Sequence, residues 1–136
     1  MAYEVNILET AKDFLDNLEP KLRAKSYRTI QMLTQFGPVL TLPHSRKIVG
    51  SEDLYELRVQ QGNNICRLFY FYYNKAIYII LSGFIKKQQK MDPKEIEKAL
   101  EIRRKYVEDK INENNIEKEI DEINKPDEKE GYNEGI

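Results

Sequence analysis

Residues 54–60, 65–73 and 76–84 are rich in Tyr, Phe, Ile, Val and Leu, and the pairs Gly62-Asn63 and Asn74-Lys75 separate them. Aromatic and β-branched runs broken by such pairs predict three antiparallel strands joined by two tight hairpins. This block constrains the chain more than any other, because side chains alternate along a strand and a one-residue slip moves every one of them to the opposite face. A two-residue loop at Gly62-Asn63 sets Tyr55 opposite Tyr70, Leu57 opposite Leu68 and Val59 opposite Cys66, an apolar face. The other face then holds Leu54 with Phe71, Glu56 with Phe69, and Arg58 directly across from Arg67. A shift by one would bury Arg67 beside Val59, so the pattern supports this register. The same rule at Asn74-Lys75 sets Ser82 opposite Arg67, Ile80 opposite Phe69 and Tyr78 opposite Phe71. Ile77, Ile79 and Leu81 then join the apolar face, and Lys86 points the way the arginines do.

The flanks supply what covers that face. Residues 3–8 alternate as a short strand, and Ala11, Phe14, Leu15 and Leu18 recur at helical spacing after Thr10. Pro20 suits the start of a second helix anchored by Leu22, Tyr27, Ile30, Leu33 and Phe36, and Gly37-Pro38 stops it. Residues 39–51 read as an extended connector carrying His44, Arg46 and Lys47. Asp92 is placed to cap a last helix, with Pro93 in its first turn and a stripe of Ile96, Ala99, Leu100, Tyr106 and Val107. The expectation is an α+β fold: an N-terminal strand and helical hairpin packed on a mainly antiparallel four-stranded sheet, followed by a C-terminal helix.

A chain of 136 residues is of single-domain size and can bury a core without staples. Its one cysteine and one histidine exclude a disulfide within the chain and a His- or Cys-based zinc site, and neither a metal nor a cofactor is expected. No apolar run approaches the ~18 residues of a membrane span, and the start lacks a signal-peptide pattern, so the expectation is a soluble cytoplasmic protein with no membrane partner. The near balance of 22 basic and 23 acidic residues hides a split. Residues 1–106 carry 18 basic and 12 acidic side chains, and residues 107–136 carry 4 and 11. A basic body, 1–106, thus precedes an acidic extension, 107–136, expected to be a fraying helix and then disordered.

Two guanidinium groups facing each other across a ladder repel, at a cost of roughly 0.2–1 kcal/mol. Either Glu56, diagonal to both, offsets this, or the pair grips an anion such as phosphate with its planar forks. Lys86 and Lys87 lie at the rim of such a site, and Arg46, Lys47, Lys90, Lys94, Arg103 and Arg104 add longer-range attraction for a polyanion. Phe69, Phe71 and Tyr78 are candidates for stacking on bases, or are simply core. His44 reads as a surface loop residue and Cys66 as inert core.

The residues 42–47 (LPHSRK), 54–58 (LYELR), 67–71 (RLFYF), 83–87 (GFIKK) and 95–99 (EIEKA) together resemble the RelE/ParE superfamily of toxins from type II toxin–antitoxin pairs, and most closely its phage-derived, HigB-like subgroup. The resemblance spans residues 3–106. It implies a RelE-like fold and a ribosome-dependent mRNA endonuclease that works without a metal by 2′-hydroxyl attack. Such a toxin inhibits translation and is neutralised by a cognate antitoxin of helix-turn-helix type, reaching operator DNA only through that antitoxin. By position it implies Arg67, Arg58, Lys86 and Lys87 as catalytic. Arg46, Lys47, Phe69, Ser82 and Lys90 are expected to bind substrate, and Glu56 or His44 to transfer a proton. The family's helical tyrosine has no counterpart in residues 88–99, and Tyr106 lies further along. A gyrase poison of the ParE branch, or a non-catalytic homologue that only binds antitoxin and regulates its operon, are the alternatives.

Overall fold

The computed structural model describes residues 2–51, 53–75, 77–87 and 91–126. Strand β1 (Glu4–Ile7) leads into helices α1 (Glu9–Asp16) and α2 (Pro20–Phe36), and a short turn of 3-10 helix follows at Gly37–Val39. Strands β2 (Ser45–Lys47), β3 (Tyr55–Gln61), β4 (Asn64–Tyr73) and β5 (Ile77–Ile85) come next, and helix α3 (Pro93–Asn124) ends the sequence of elements. They form one five-stranded sheet of order β1-β5-β4-β3-β2. Only the β1–β5 pair is parallel. The fold is thus the expected α+β arrangement with one strand more: the connector contributes β2, paired antiparallel to β3. The chain separates into two units at Ile102–Arg103, within α3.

The helix ends follow from local chemistry. Glu19 caps α2, its two carboxylate oxygens accepting the N–H groups of Lys21 and Leu22 at 3.1 and 3.2 Å, with Pro20 as the first helical residue. Asp92 caps α3 by accepting the Lys94 N–H at 3.0 Å.

Helices α1 and α2 cover one face of the sheet. Ala11, Leu15, Leu18, Leu22, Ile30 and Leu33 form a core with Leu57, Val59, Cys66, Leu68, Tyr70, Tyr78 and Ile80. The inward stripe of α2 differs from the expected one, since Tyr27 and Phe36 are exposed and Ser26 and Thr29 are buried in their place. Both hydroxyls bond back to their own helix, on Leu22 O at 2.8 Å and Lys25 O at 3.0 Å, which removes the cost of burying them. The small Ser26 also lets α2 lie close to Cys66, with Oγ 3.5 Å from Sγ. On β5, Gly83 makes room for α1: a Cβ there would overlap the Phe14 ring and lie 2.8 Å from Leu68 Cδ2. Gly83→Ala is therefore expected to cost about 1–3 kcal/mol by overpacking, read as a lower midpoint in urea unfolding.

The first hairpin has the expected register throughout, including Arg58 opposite Arg67. The second does not. Tyr73 pairs with Ile77, so the loop has three residues, and Asn74 and Lys75 both take positive φ, 52° and 53°. Tyr78 and Ile80 therefore face the helices, and Ile77 and Ile79 face away. A bulge between Phe69 and Tyr70 then shifts the register once more, leaving Leu81 without an opposite partner and setting Ser82 across from Phe69 instead of Arg67. The two departures cancel in parity, so Ser82 remains on the arginine face. That face is apolar away from its charges, with Phe69, Phe71 and Ile79 buried.

Candidate functional site

Strand pairing assembles the charged residues in rows on the face turned away from α1 and α2. One row runs Arg46, Glu56, Phe69, Ser82 across β2, β3, β4 and β5. The next runs Arg58, Arg67, Phe84 across β3, β4 and β5. His44 heads this second row, its carbonyl accepting the Arg58 N–H at 2.8 Å. Lys86, just past β5, is held by its N–H donating to Ile65 O at 2.9 Å.

Glu56 lies at the centre, fully buried. Its Oε1 is 2.8 Å from Arg46 Nε, 3.7 Å from Arg67 Nε and 4.0 Å from Arg58 Nε. The offset expected from Glu56 is therefore present, and it reaches a third arginine as well. One carboxylate cannot neutralise three guanidinium groups, so the cluster keeps a net positive charge, to which Lys86 adds. The arginines differ in access, with side-chain exposures of 47% for Arg46, 32% for Arg58 and 6% for Arg67. Arg67 donates to the carbonyl of Cys66 at 3.2 Å. Among the described residues, Arg67 Nε, Ser82 Oγ and Glu56 Oε2 are buried without a hydrogen-bond partner. Three such atoms in two adjacent rows leave unmet polar capacity at one place, where natural interiors pair nearly every group.

Burial pushes the Arg67 guanidinium down from its ordinary value, Glu56 opposing and Arg58 adding to the effect. Guanidinium nonetheless stays charged in proteins, so Arg67 can stabilise negative charge and cannot serve as a base. Lys86 is held below a lysine's usual 10.5 by partial burial and then by Arg67, with Glu56 pulling the other way. Buried Tyr78 is pushed up to about 12 by burial and by its tyrosine neighbours and stays protonated at neutral pH.

The expected site residues divide clearly. Arg46, Arg58, Arg67, Glu56, Ser82, Lys86 and the backbone of His44 come together. Lys47 faces the other way on β2, across from Tyr55, and pairs with exposed Asp53 at 3.5 Å. Lys87 is exposed, and Lys90 lies outside the described residues. Phe69 is fully buried, Phe71 is buried, and Tyr78 is on the helix side, so none of the three offers a ring to a ligand. Phe84 was not singled out by its sequence context, yet it sits across from Arg67, half-buried, stacked on Phe69 with centroids 5.4 Å apart and planes at 25°. Its position depends on the bulge, which shifts the pairing and sets Phe84 opposite Arg67. Tyr106 belongs to the unit beyond Ile102.

Within the cluster Glu56, Arg67 and Ser82 are buried, and Arg46 and Arg58 are its solvent-facing members. A cavity of about 760 Å³ lies on the helix side, between Phe14, Leu18, Leu22, Gly83, Ile85 and Lys98. Among the described residues no group of three or more His, Cys, Asp or Glu is placed to hold a metal ion, and no helix is long and apolar enough to cross a membrane.

Residues 13–104 match the family model described as Phage derived protein Gp49-like (DUF891). Among solved structures, the E. coli toxin RelE, as a double arginine-to-alanine mutant in the free state, is similar with a TM-score of 0.50 and 19% identity, covering 61% of this chain and 82% of that one. A chain of the archaeal RelE–RelB complex from Pyrococcus horikoshii is similar with a TM-score of 0.50 and 21% identity, covering 65% of this chain and 99% of that one. No curated protein sequence matches this chain.

Proposed function

Because this chain belongs to the phage-derived Gp49-like family and has a RelE-like fold, we propose that it is the toxin of a toxin–antitoxin pair, a HigB-like endonuclease that cuts mRNA on the ribosome. The observation that carries the reading is the cluster of Arg46, Arg58 and Arg67, from three neighbouring strands, around the single carboxylate of Glu56. Rigid strands hold donors suited to a phosphodiester, and the excess positive charge attracts the strand. Only Arg46 and Arg58 of the cluster are substantially exposed, so the phosphodiester must be presented to it in a fixed shape, and a ribosome supplies one.

Cleavage begins when a base takes the 2′-hydroxyl proton and the oxygen attacks the adjacent phosphorus. Arg67 and Arg58 stabilise the extra negative charge as the P–O5′ bond breaks, and an acid protonates the leaving 5′-oxygen. The products are a 2′,3′-cyclic phosphate and a 5′-hydroxyl. Lys86 is our choice of base, its pKa lowered toward use, and His44, beside Arg58, is the second proton carrier. Phe84 supports the base next to the cleaved phosphate. The partners of this reading are the ribosome, mRNA and a helix-turn-helix antitoxin in the cytoplasm. The acidic extension, 107–136, is an appendage to the cleaving body.

Lys86 gives a pH test with a definite sign. A base must be deprotonated to act, so cleavage rises with pH in the range below 10.5, the usual lysine value above the lowered one of Lys86. Lys86→Met loses that rising limb in single-turnover cleavage on programmed ribosomes. A limb unchanged in this variant would assign the base elsewhere, with His44→Gln as the next variant.

A further inference from the structure

We propose that Glu56 is a positioning residue that holds Arg46, Arg58 and Arg67 in one cluster and does not itself move a proton. The inference rests on the endonuclease reading for its catalytic consequence, and its structural part stands without it. A proton carrier must come within hydrogen-bond reach of the hydroxyl it serves. Glu56 is fully buried, and even its second oxygen, Oε2, is sealed from solvent without a partner. Its first oxygen meets three guanidinium groups, all by way of Nε. That approach leaves the terminal nitrogens of Arg46 and Arg58 for a further acceptor, such as a phosphate oxygen. Strand β2 fits this role, since its three residues set Arg46 directly across from Glu56. Without the carboxylate, Arg58 and Arg67 face each other with nothing to hold them together.

Charge and position predict opposite outcomes for one substitution. Glu56→Gln preserves shape and makes the face more positive by one unit, so simple attraction predicts tighter RNA binding and cleavage no slower. Positioning predicts that kcat on programmed ribosomes falls by about 10²-fold while KM does not rise. The rising pH limb persists and moves to lower pH, because Glu56 opposes the lowering of Lys86 by Arg67, Arg58 and Arg46.

The deciding measurement that does not need activity is NMR of the arginine Nε–H groups in the full chain. The wild type is expected to show dispersed, exchange-protected signals for Arg46, hydrogen-bonded to Glu56 at 2.8 Å, and for buried Arg67, and these collapse in Glu56→Gln. If that variant does not fold, Glu56→Asp, with a shorter reach, is expected to lose part of the protection and part of kcat at an unchanged pH profile. Unchanged Nε–H signals overturn the proposal, and so does an unchanged kcat. Loss of both cleavage and its pH limb with the signals intact would make Glu56 the reacting group. If the wild-type chain cuts no RNA, the endonuclease reading fails, and the Nε–H signals still decide whether Glu56 organises the arginines.

Discussion

Arg67→Ala is expected to lower cleavage of ribosome-bound mRNA by about 10²–10³-fold, the usual loss when one preorganised donor to a developing oxyanion is removed. Arg67 is the buried member of the arginine pair, at 6% side-chain exposure, so no mobile surface cation can take its place. The fold should tolerate the change, because it also removes a buried Nε that has no hydrogen-bond partner. Arg67→Lys separates charge from shape: it retains the cation and loses the planar fork. It should stay near the alanine variant in single-turnover rate. Full activity in Arg67→Lys would reduce the site to a positive patch. Arg58→Ala, at 32% exposure, should lose less.

The second large effect is on stability. Glu56→Ala removes the only carboxylate within 4.0 Å of Arg46, Arg58 and Arg67 among the described residues. Breaking a buried ion pair costs about 3–5 kcal/mol. The value here should sit at the low end, near 3 kcal/mol, because Arg46 and Arg58 are open enough to turn toward water and only Arg67 is left stranded. Urea unfolding measures it directly, as a lower midpoint at an unchanged slope. A midpoint within about 0.5 kcal/mol of the wild type, the range of ordinary surface changes, would mean that the three contacts contribute little to the fold.

How much of this was legible depended on whether the two faces of a strand differ in chemistry. In β3 and β4 one face is apolar and the other carries Glu56, Arg58 and Arg67, so the alternation admitted a single register, and that register is observed. In β5 both candidate sets are apolar, Ile77, Ile79 and Leu81 against Tyr78 and Ile80. The pattern could not tell a two-residue loop from the three-residue loop that forms, nor reveal the bulge beside Leu81. Ser82 stayed on the arginine face only because the two shifts compensate. Strand β2 was hidden for another reason. It is three residues long, too short for periodicity to register, yet it delivers Arg46 to Glu56. Phe84 shares the parity of Ser82 and Lys86 and so fell on the arginine face in either register, but only the observed pairing sets it opposite Arg67. The stripe of α2 misled because Ser26 and Thr29 look polar in sequence, whereas a hydroxyl that bonds back to its own helix can be buried at little cost.

The most direct test is to express the chain in cells without its antitoxin and map the 5′ ends of mRNA, with Arg67→Ala alongside. The account predicts new 5′ ends phased with codons on translated messages, present with the wild type and gone in the variant. Intact mRNA in growth-arrested cells with broken chromosomal DNA would contradict it and point to a gyrase poison. Intact mRNA with no growth defect would contradict it in favour of a homologue that only binds antitoxin.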